Sequence, residues 1–167
     1  MKKKCILAIF LLYLFAVQAM TQEIKAFFNA DCEKALTEEI SKAKKSIRVA
    51  IYSFTRFNIA NALSKAAKNG VDVKVIMDKS QIEASEYGPK ILEIIQKSKI
   101  EVLLIEKESQ MHHKFVVIDK ETVATGSFNF TTSAAKFNDE NLVIIKDAQT
   151  AEKFLKAWEG IFQKNKK

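Results

Sequence analysis

The segment MHHKFVVIDKETVATGSFN, from Met111 to Asn129, is the part of the sequence that decides the fold. Residues 114–118 form an apolar run typical of a β-strand, and residues 122–127 form a second run rich in strand-forming residues. The three residues between the runs, 119–121, are polar and predict a tight turn. The segment is therefore predicted to be a β-hairpin that closes around Lys120.

Polar side chains lie along both strands of this hairpin. Side chains alternate across a strand, so His112 and Lys114 share one face and His113 lies on the other. Ser127 and Asn129 share a face by the same period. With this turn, we expect His112 roughly opposite Asn129, and Lys114 roughly opposite Ser127. The imidazole, ammonium, hydroxyl and amide groups would then form one patch that suits a phosphate.

His112 is predicted to be the catalytic residue of the patch. An imidazole can act as a nucleophile or as an acid near neutral pH, so it can hydrolyse a phosphodiester without a metal. Attack by neutral His112 would form a covalent phosphohistidine and would split one difficult step into two easier ones. Lys114 supplies a positive charge for the nonbridging phosphate oxygens, and Ser127 and Asn129 add neutral hydrogen bonds.

Neither a metal site nor a cofactor is expected. His112 and His113 are the two histidines of the chain, and adjacent strand residues diverge, so the pair is a poor chelate. Cys32 adds little to such a site. The reaction predicted from these residues should therefore proceed in the presence of a chelator.

The spacing of the hairpin residues resembles the signature motif of the phospholipase D superfamily. That motif reads His-x-Lys, four residues, Asp, six residues, Gly-Ser-x-Asn, and it is matched here by His112, Lys114, Asp119, Gly126, Ser127 and Asn129. Other segments look like the small single-motif bacterial endonucleases of the superfamily, namely residues 50–55, 70–75, 126–131 and 140–141. The resemblance extends from about Ala43 to the C-terminal helix.

The resemblance also implies roles for two carboxylates. Glu140 matches the downstream glutamate of the family and is expected to hold the Nδ1–H of His112 and to stabilise the imidazolium. Asp119 belongs to the motif and is included among the catalytic residues. Its position at the turn is equally consistent with a turn residue that bonds its own backbone, and both alternatives stay open.

A homodimer is the assembly that the resemblance implies. One chain carries one motif, whereas the reaction needs both a nucleophile and an acid. Two copies of His112 would meet across a twofold axis, so that the active site lies at the interface. One histidine would attack while the other protonates the leaving 3′ oxygen, which leaves 5′-phosphate ends.

The first 19 residues are predicted to be a targeting segment. Lys2–Lys4 form a positive start, residues 5–17 form an apolar run, and residues 17–19 form a small-residue exit. The apolar run is short for a membrane-spanning helix, which favours a cleaved signal peptide over an N-terminal membrane anchor. We expect an exported protein, periplasmic or secreted, with residues 20–167 as a single domain. Membrane association through the N-terminal segment is the alternative.

The net charge indicates which partners to expect, and the cysteine count indicates whether a disulfide can form. The chain carries a formal charge of +7, and without the three lysines of the targeting segment the remainder carries +4. This excess favours a polyanionic partner such as DNA or RNA, although a soluble surface alone can also account for it. Beyond the targeting segment Cys32 is the single cysteine, so an intrachain disulfide is impossible there and a buried thiol is expected.

The rest of the chain predicts an α/β fold. Strand and helix patterns alternate in the first half, which favours parallel strands, and the hairpin adds antiparallel ones. We expect one mixed, largely parallel sheet with helices on both faces, as in phospholipase D-like nucleases. Predicted strands lie at residues 24–28, 46–54, 71–77, 100–105 and 141–145, and predicted helices at 31–45, 58–69, 89–99 and from 147 onward. Residues 81–88 are expected to form a loop.

The combined prediction is an exported, metal-independent endonuclease that cleaves nucleic acid, preferably single-stranded. Phe54, Phe57 or Phe128 could stack on exposed bases. The alternative is a phospholipase D-type lipid phosphodiesterase with the same chemistry. A nucleic-acid-binding module without activity is a third alternative, against which the intact motif argues.

Overall fold

A seven-stranded sheet lies at the centre of the computed structural model, which describes residues 22–106 and 110–166. The strands are β1 (Glu23–Phe28), β2 (Ser46–Ile51), β3 (Asp72–Asp78), β4 (Glu101–Ile105), β5 (Lys114–Ile118), β6 (Thr122–Gly126) and β7 (Asn141–Lys146). Their order across the sheet is β1-β7-β6-β5-β2-β3-β4. The predicted strands are all present, but β2 ends earlier than expected.

The sheet is mixed, as predicted, and parallel pairing is confined to one part of it. Among the described strands, β2–β3 and β3–β4 are the parallel pairs. The other neighbouring pairs are antiparallel, so the expectation of a largely parallel sheet needs correction to that extent. Of these antiparallel pairs, β5–β6 is joined by a short turn, which can connect only antiparallel neighbours, whereas the parallel pairs are joined through helices.

Helices flank the sheet between and after these strands. Their bounds are α1 (Asp31–Lys42), α2 (Phe57–Lys68), α3 (Lys79–Glu83), α4 (Gly88–Lys97), α5 (Thr132–Lys136) and α6 (Ala148–Asn165). Pro89 lies in the first turn of α4, and Gly70, with φ of 89°, follows the end of α2, as predicted. Helix α3 occupies part of the segment expected to be a loop, because the Asp78 carboxylate caps it by accepting from the Gln81 N–H.

Both faces of the sheet are covered. On one face α1, α2, α4 and the short α5 pack over strand residues such as Val49 and Val116. On the other face α6 packs over Ala50 and Phe115, the neighbours of those residues in the strands. Trp158 anchors α6, because its indole N–H donates to the backbone carbonyl of Val49 at 2.8 Å. The predicted covering of both faces is confirmed.

The β5–β6 hairpin turns at residues 119–121, as predicted. The residue pairs of its ladder are centred on Lys120, so Lys114 lies level with Gly126 and not with Ser127. The predicted alignment is therefore displaced by one residue. Ser127 does not follow the strand alternation, because β6 ends at Gly126 and the chain beyond it leaves the ladder.

Gly126 lies where the backbones of β6 and β7 come close together. A Cβ atom at this position would lie 2.2 Å from the carbonyl oxygen of Asn141. The backbone N–H groups of Ser127 and Phe128 both donate to that oxygen, at 3.1 and 3.4 Å. Glycine is therefore required here by space, since any side chain would displace the neighbouring backbone.

Gly126→Ala is predicted to destabilise the fold by about 1–3 kcal/mol, the usual cost of overpacking. The matched control is Gly160→Ala within α6, where nothing lies within 4 Å of an added Cβ. That variant should gain up to about 1 kcal/mol, because alanine has the higher helix propensity. Urea unfolding measures both free energies, and equal stabilities would contradict the close approach at Gly126.

The targeting segment predicted at residues 1–19 lies outside the described residues. Within residues 22–106 and 110–166, no helix has both the length and the apolar character needed to cross a membrane.

Candidate active site

Three chain segments meet where β2 ends, at the edge of the sheet formed by the ends of the strands and not by an outer strand. The N–H of Tyr52 donates to the carbonyl of His113 at 2.9 Å, which joins the end of β2 to the residues before β5. The N–H of Phe130 donates to the carbonyl of Ser53 at 3.0 Å, which adds the segment after β6. The Tyr52 bond continues the register of β2 with β5, and the chain beyond it pairs with the segment after β6, so β2 is shorter than predicted.

His112 and Lys114 lie side by side at this edge. The Lys114 Nζ is 3.3 Å from Nδ1 and 3.5 Å from Nε2 of His112, and it donates to the carbonyl of His112 at 3.0 Å. The imidazole is exposed and tilts against the ring of Tyr52, with 4.4 Å between the ring centroids. An imidazole and an ammonium group are thus presented together at the surface.

Lys114 also contacts the ring of Tyr52, whose centroid lies 5.2 Å from Nζ. Burial lowers the pKa of Lys114, and the negative charge of Glu140 partly opposes this shift. A partly desolvated ammonium interacts more strongly with a nearby negative charge than one in bulk water. The position therefore suits the stabilisation of charge on phosphate oxygens.

Ser127 and Glu140 are joined by a short hydrogen bond, in which the hydroxyl donates to the carboxylate. The Ser127 oxygen accepts from the backbone N–H of Asn141 at 3.0 Å. The other carboxylate oxygen of Glu140 accepts from the Asn138 side chain at 3.1 Å. Asn29 makes two hydrogen bonds to the Glu140 backbone: its N–H donates to the carbonyl at 2.9 Å, and its side-chain oxygen accepts from the N–H at 3.0 Å. Glu140 is therefore a buried and hydrogen-bonded carboxylate.

The structure does not place Glu140 against the histidine of the same chain. Among the described residues, its carboxylate bonds to Ser127 and Asn138, and the predicted contact with Nδ1 of His112 is not made. The charge of Glu140 acts instead on Lys114, whose pKa it tends to raise. The expected contact with the imidazole is corrected for the single chain, because the carboxylate is directed to Ser127 and Asn138.

Asn129 lies near the other residues of the patch through its contact with the end of β2. Its side-chain oxygen accepts from the Ser53 N–H at a long 3.4 Å. Its backbone carbonyl accepts from the Thr131 N–H at 2.9 Å, which shapes the turn into α5. The structure thus brings Asn129 to the same edge as His112, because Ser53 follows directly after Tyr52.

Asp119 lies at the opposite end of β5, about 17 Å along the strand from Lys114. Its carboxylate accepts from the backbone N–H groups of Lys44, Lys45 and Ser46 at 2.7–2.8 Å. Burial disfavours the charged form, but these three donors together hold the pKa of Asp119 below its ordinary value. Its inclusion among the catalytic residues is therefore corrected: Asp119 is a scaffold residue that ties the hairpin turn to the start of β2.

His113 points to the other face of β5, as predicted, and it is exposed. Its ring meets Phe115 edge-on, with 5.5 Å between the centroids. Partial desolvation, together with the charges of Lys114 and His112, lowers the pKa of His113. This histidine takes no part in the patch around His112.

Two residues of the site were not identified from the sequence. Tyr52 supplies the ring beside His112, and its place directly after an apolar strand was the available signal. Asp78 is buried, and its second carboxylate oxygen accepts from the Met111 N–H at 2.9 Å, which fixes the residue before His112. The available signal for Asp78 was an aspartate directly after an apolar strand.

No cluster of metal ligands accompanies the patch in the described part of the chain. Within residues 22–106 and 110–166, no three His, Cys, Asp or Glu side chains are grouped in a way that could hold a metal ion.

Comparison with known proteins identifies the family. Residues 36–162 match the family described as "Cardiolipin synthase, PLD-like domain". The match covers more than half of the chain and includes the whole segment from Met111 to Asn129. This chain belongs to the phospholipase D superfamily. The superfamily includes phosphodiesterases, and the imidazole–ammonium pair at His112 fits that chemistry.

Individual members of the phospholipase D superfamily are similar over most of this chain. The crystal structure of a phospholipase D family member, Nuc from Salmonella typhimurium, is 33% identical with a TM-score of 0.80, and covers 84% of this chain and 93% of Nuc. "Phospholipase D" of Rickettsia typhi is 38% identical over 129 residues, which are 77% of this chain and 62% of the relative. "Mitochondrial cardiolipin hydrolase" of Mus musculus is 30% identical over 130 residues, which are 77% of this chain and 57% of the relative. The chain thus spans about three fifths of these two curated relatives.

Asp119→Asn is predicted to lower the free energy of unfolding by about 1–3 kcal/mol at neutral pH, because an amide nitrogen would face a backbone N–H. Asparagine tolerates the positive φ of 53° at this turn, so the substitution tests the carboxylate and not the backbone. The hydrolysis rate per folded molecule should not change. Urea unfolding and rate measurements on the same sample separate the two effects, and a rate that falls while stability is kept would restore the catalytic role.

The pH dependence of this difference has a definite sign. The folded pKa of Asp119 lies below its ordinary value, so the stabilisation is complete above the ordinary value and is lost as the pH falls through the folded one. The gap in stability between wild type and Asp119→Asn should be full at neutral pH and should shrink below about pH 4. Unfolding curves recorded between neutral and acid pH measure the gap.

Proposed function

We propose that the protein is an exported, metal-independent endonuclease that hydrolyses nucleic acid, preferably single-stranded, and leaves 5′-phosphate ends. The observation that carries this proposal is the exposed imidazole of His112 with the Lys114 ammonium 3.3 Å away. An exposed pair of this kind can be reached by a phosphodiester within a polymer that runs across the surface. The reaction needs no cofactor.

The first step forms a covalent intermediate. A ring nitrogen of His112 attacks the phosphorus, the phosphorus–nitrogen bond forms, and the bond from phosphorus to the 3′ oxygen breaks. The leaving oxygen takes a proton from a protonated imidazole, so a free 3′-hydroxyl is released. Water, deprotonated by the imidazole that is now neutral, then attacks the phosphohistidine. The products are a 5′-phosphate and the regenerated His112.

The remaining polar residues stabilise charge during both steps. Lys114 faces the nonbridging oxygens, where negative charge builds up in the transition state. The Ser127 hydroxyl and the Asn129 amide are proposed to bind the same phosphate. Because the Ser127 hydroxyl donates to Glu140 in this structure, phosphate binding would require that proton to turn towards the substrate. Glu140 would then be left to compensate the charge of Lys114.

A homodimer with the active site at its twofold interface is part of the proposal. The described patch offers one imidazole, whereas the reaction uses a nucleophile and an acid at the same time. Two exposed aromatic side chains, Phe28 and Phe137, lie close in sequence to the residues that hold Glu140, and they provide apolar surface for an interface. If Glu140 orients an imidazole in the assembled enzyme, that imidazole would be His112 of the partner subunit.

Nucleic acid is favoured over lipid by the extent of the structural similarity. The fold matches Nuc over 93% of that chain, and the sequence resembles small endonucleases of the superfamily over the same region. A lipid phosphodiesterase is the second candidate, because "Phospholipase D" and "Mitochondrial cardiolipin hydrolase" are the names of the curated relatives. Export rests on the N-terminal targeting segment, and location in the periplasm or outside the cell is proposed on the same basis.

Wild-type protein in excess EDTA is predicted to cut DNA or RNA, and single strands faster than duplexes, while it releases no headgroup from phosphatidylcholine or cardiolipin vesicles. His112→Ala should lower the cleavage rate by at least about 10³-fold, because it removes the nucleophile. His113→Ala is the matched control, since the adjacent imidazole lies on the other face of β5 and should leave the rate unchanged.

The substrates and variants separate the alternatives. Wild type quenched in alkaline denaturant, in which the phosphorus–nitrogen bond survives, should carry the 5′-phosphoryl fragment of the substrate on a histidine, detectable by mass spectrometry, and His112→Ala should carry none. Headgroup release with intact nucleic acid would move the assignment to the lipid candidate. Activity lost in EDTA and restored by a divalent cation would refute the mechanism.

Mixed dimers test the twofold active site. Wild-type and His112→Ala subunits are refolded together in equal amounts, so that about one quarter of the dimers carry two histidines. If both imidazoles are needed in one reaction, activity should fall to about one quarter of that of the same mass of wild type. A fall to about one half would show that each subunit works alone. Sedimentation of the mixture checks that it is dimeric.

A further inference from the structure

An exposed pair of aromatic rings lies apart from the residues used so far. Phe57, the first residue of α2, is 38% exposed, and Tyr87, the residue before α4, is 48% exposed. Their rings touch edge to face, with 6.1 Å between the centroids and 82° between the planes. Large apolar rings are usually buried, so a pair in contact at the surface calls for an explanation.

The topology puts this pair at the same edge of the sheet as His112. Helix α2 begins just after β2, and helices α3 and α4 follow β3, which is parallel to β2. Strand β5 is antiparallel to β2, so its first residues emerge at that same edge. Phe57 follows Tyr52 by five residues, and Tyr52 lies against the imidazole of His112. The Cα of Phe57 is therefore within about 18 Å of that of Tyr52, and the Tyr87 ring lies next to Phe57.

The backbone around Tyr87 is held in place. A Cβ at Gly88 would lie 2.1 Å from the carbonyl oxygen of Ile82, so the start of α4 is packed directly against α3. Helix α2 also contacts the residue that follows α4, through a 2.5 Å hydrogen bond between Ser64 and Ser98. Phe57 thus lies in a packed helix, and Tyr87 lies directly before the packed first residue of another.

A positive charge accompanies the rings. The Nζ of Lys90 lies 5.2 Å from the centroid of Tyr87, and it also pairs with the exposed Glu86 at 3.1 Å. Ion pairs at such exposed positions are weak, so the Lys90 ammonium can leave Glu86 and bind a phosphate. Aromatic faces next to lysine form the arrangement that binds single-stranded nucleic acid, where bases stack and phosphates meet cations.

We infer that Phe57, Tyr87 and Lys90 form a stacking platform that binds one or two unpaired bases of the strand held at His112. This inference rests on the proposed nuclease function and extends it to a second binding site. Bases in a duplex are already stacked on each other, so the platform makes single strands the preferred substrate. Of the three phenylalanines expected to stack, Phe54 and Phe128 are buried, and Phe57 alone lies at the surface.

The test compares ring removal with base removal. The double variant Phe57→Leu/Tyr87→Leu keeps apolar volume but removes both rings, and Tyr87→Phe is the matched control that keeps its ring. For the binding measurements each protein carries His112→Ala, and the protein with this substitution alone is the parent protein. Binding is measured with a single-stranded oligonucleotide and with an abasic oligonucleotide of the same length. Hydrolysis of bis(p-nitrophenyl) phosphate by the same platform variants with His112 intact checks that the catalytic patch is unaffected.

The double variant is predicted to bind the normal oligonucleotide about 10–100-fold more weakly, and Tyr87→Phe to bind it as well as the parent protein. The abasic oligonucleotide should bind equally to all of these proteins, because the stacking partners are missing. Hydrolysis of the small phosphodiester should not change. Fluorescence of 2-aminopurine in the oligonucleotide should be quenched by the parent protein and not by the double variant.

The outcomes separate the platform from the proposed function. If the parent protein binds and the wild type cuts single strands, but the double variant binds equally well, the platform is refuted and the nuclease function stands. A double variant that loses the same affinity for normal and abasic strands would show a role other than stacking and would also refute it. If the wild type hydrolyses the small phosphodiester but the parent protein binds no single strands, both proposals fail.

Discussion

The antiparallel pairing of β5 with β2 is the interaction on which the site depends. Because β2 and β3 are parallel, the helices that follow them both begin at one edge of the sheet. Strand β5 runs in the opposite direction beside β2, so the residues before it, including His112, arrive at that edge. The imidazole therefore sits beside the carboxyl ends of the parallel strands. This is the edge at which open α/β sheets usually bind their ligands.

The charges at this edge are arranged in layers from the surface inward. His112 and Ser127 are exposed, Lys114 is half-buried, and Glu140 is buried beneath them. The short bond from Ser127 to Glu140 and the charge of Lys114 nearby keep the buried carboxylate compensated. A phosphate that approaches from solvent would meet the imidazole and the ammonium first. The carboxylate behind them then limits the net positive charge of the empty site.

Much of this could be predicted from the sequence, because local patterns specify local geometry. The alternation of polar and apolar residues showed that His112 and Lys114 share a face, and the polar residues at 119–121 indicated the turn. The partners of Asp119 and Glu140 could not be predicted, since they depend on which distant backbone lies next to each carboxylate. Lys44 and Asn29 are far away in sequence from the residues that they bind. Tyr52 and Asp78 were missed for the same reason.

Asp119 and His112 mark the two ends of one strand, and this gives the spacing of the motif a physical meaning. The Asp119 carboxylate is anchored to the backbone before β2, whereas the residue after His112 is bonded to the backbone after β2. The number of intervening residues therefore has to match the length of the sheet along the strand direction. One inserted residue would turn the lysine to the opposite face, and two would move it beyond the edge. The number of residues between Lys114 and Asp119 therefore matches the length over which β5 crosses the protein core.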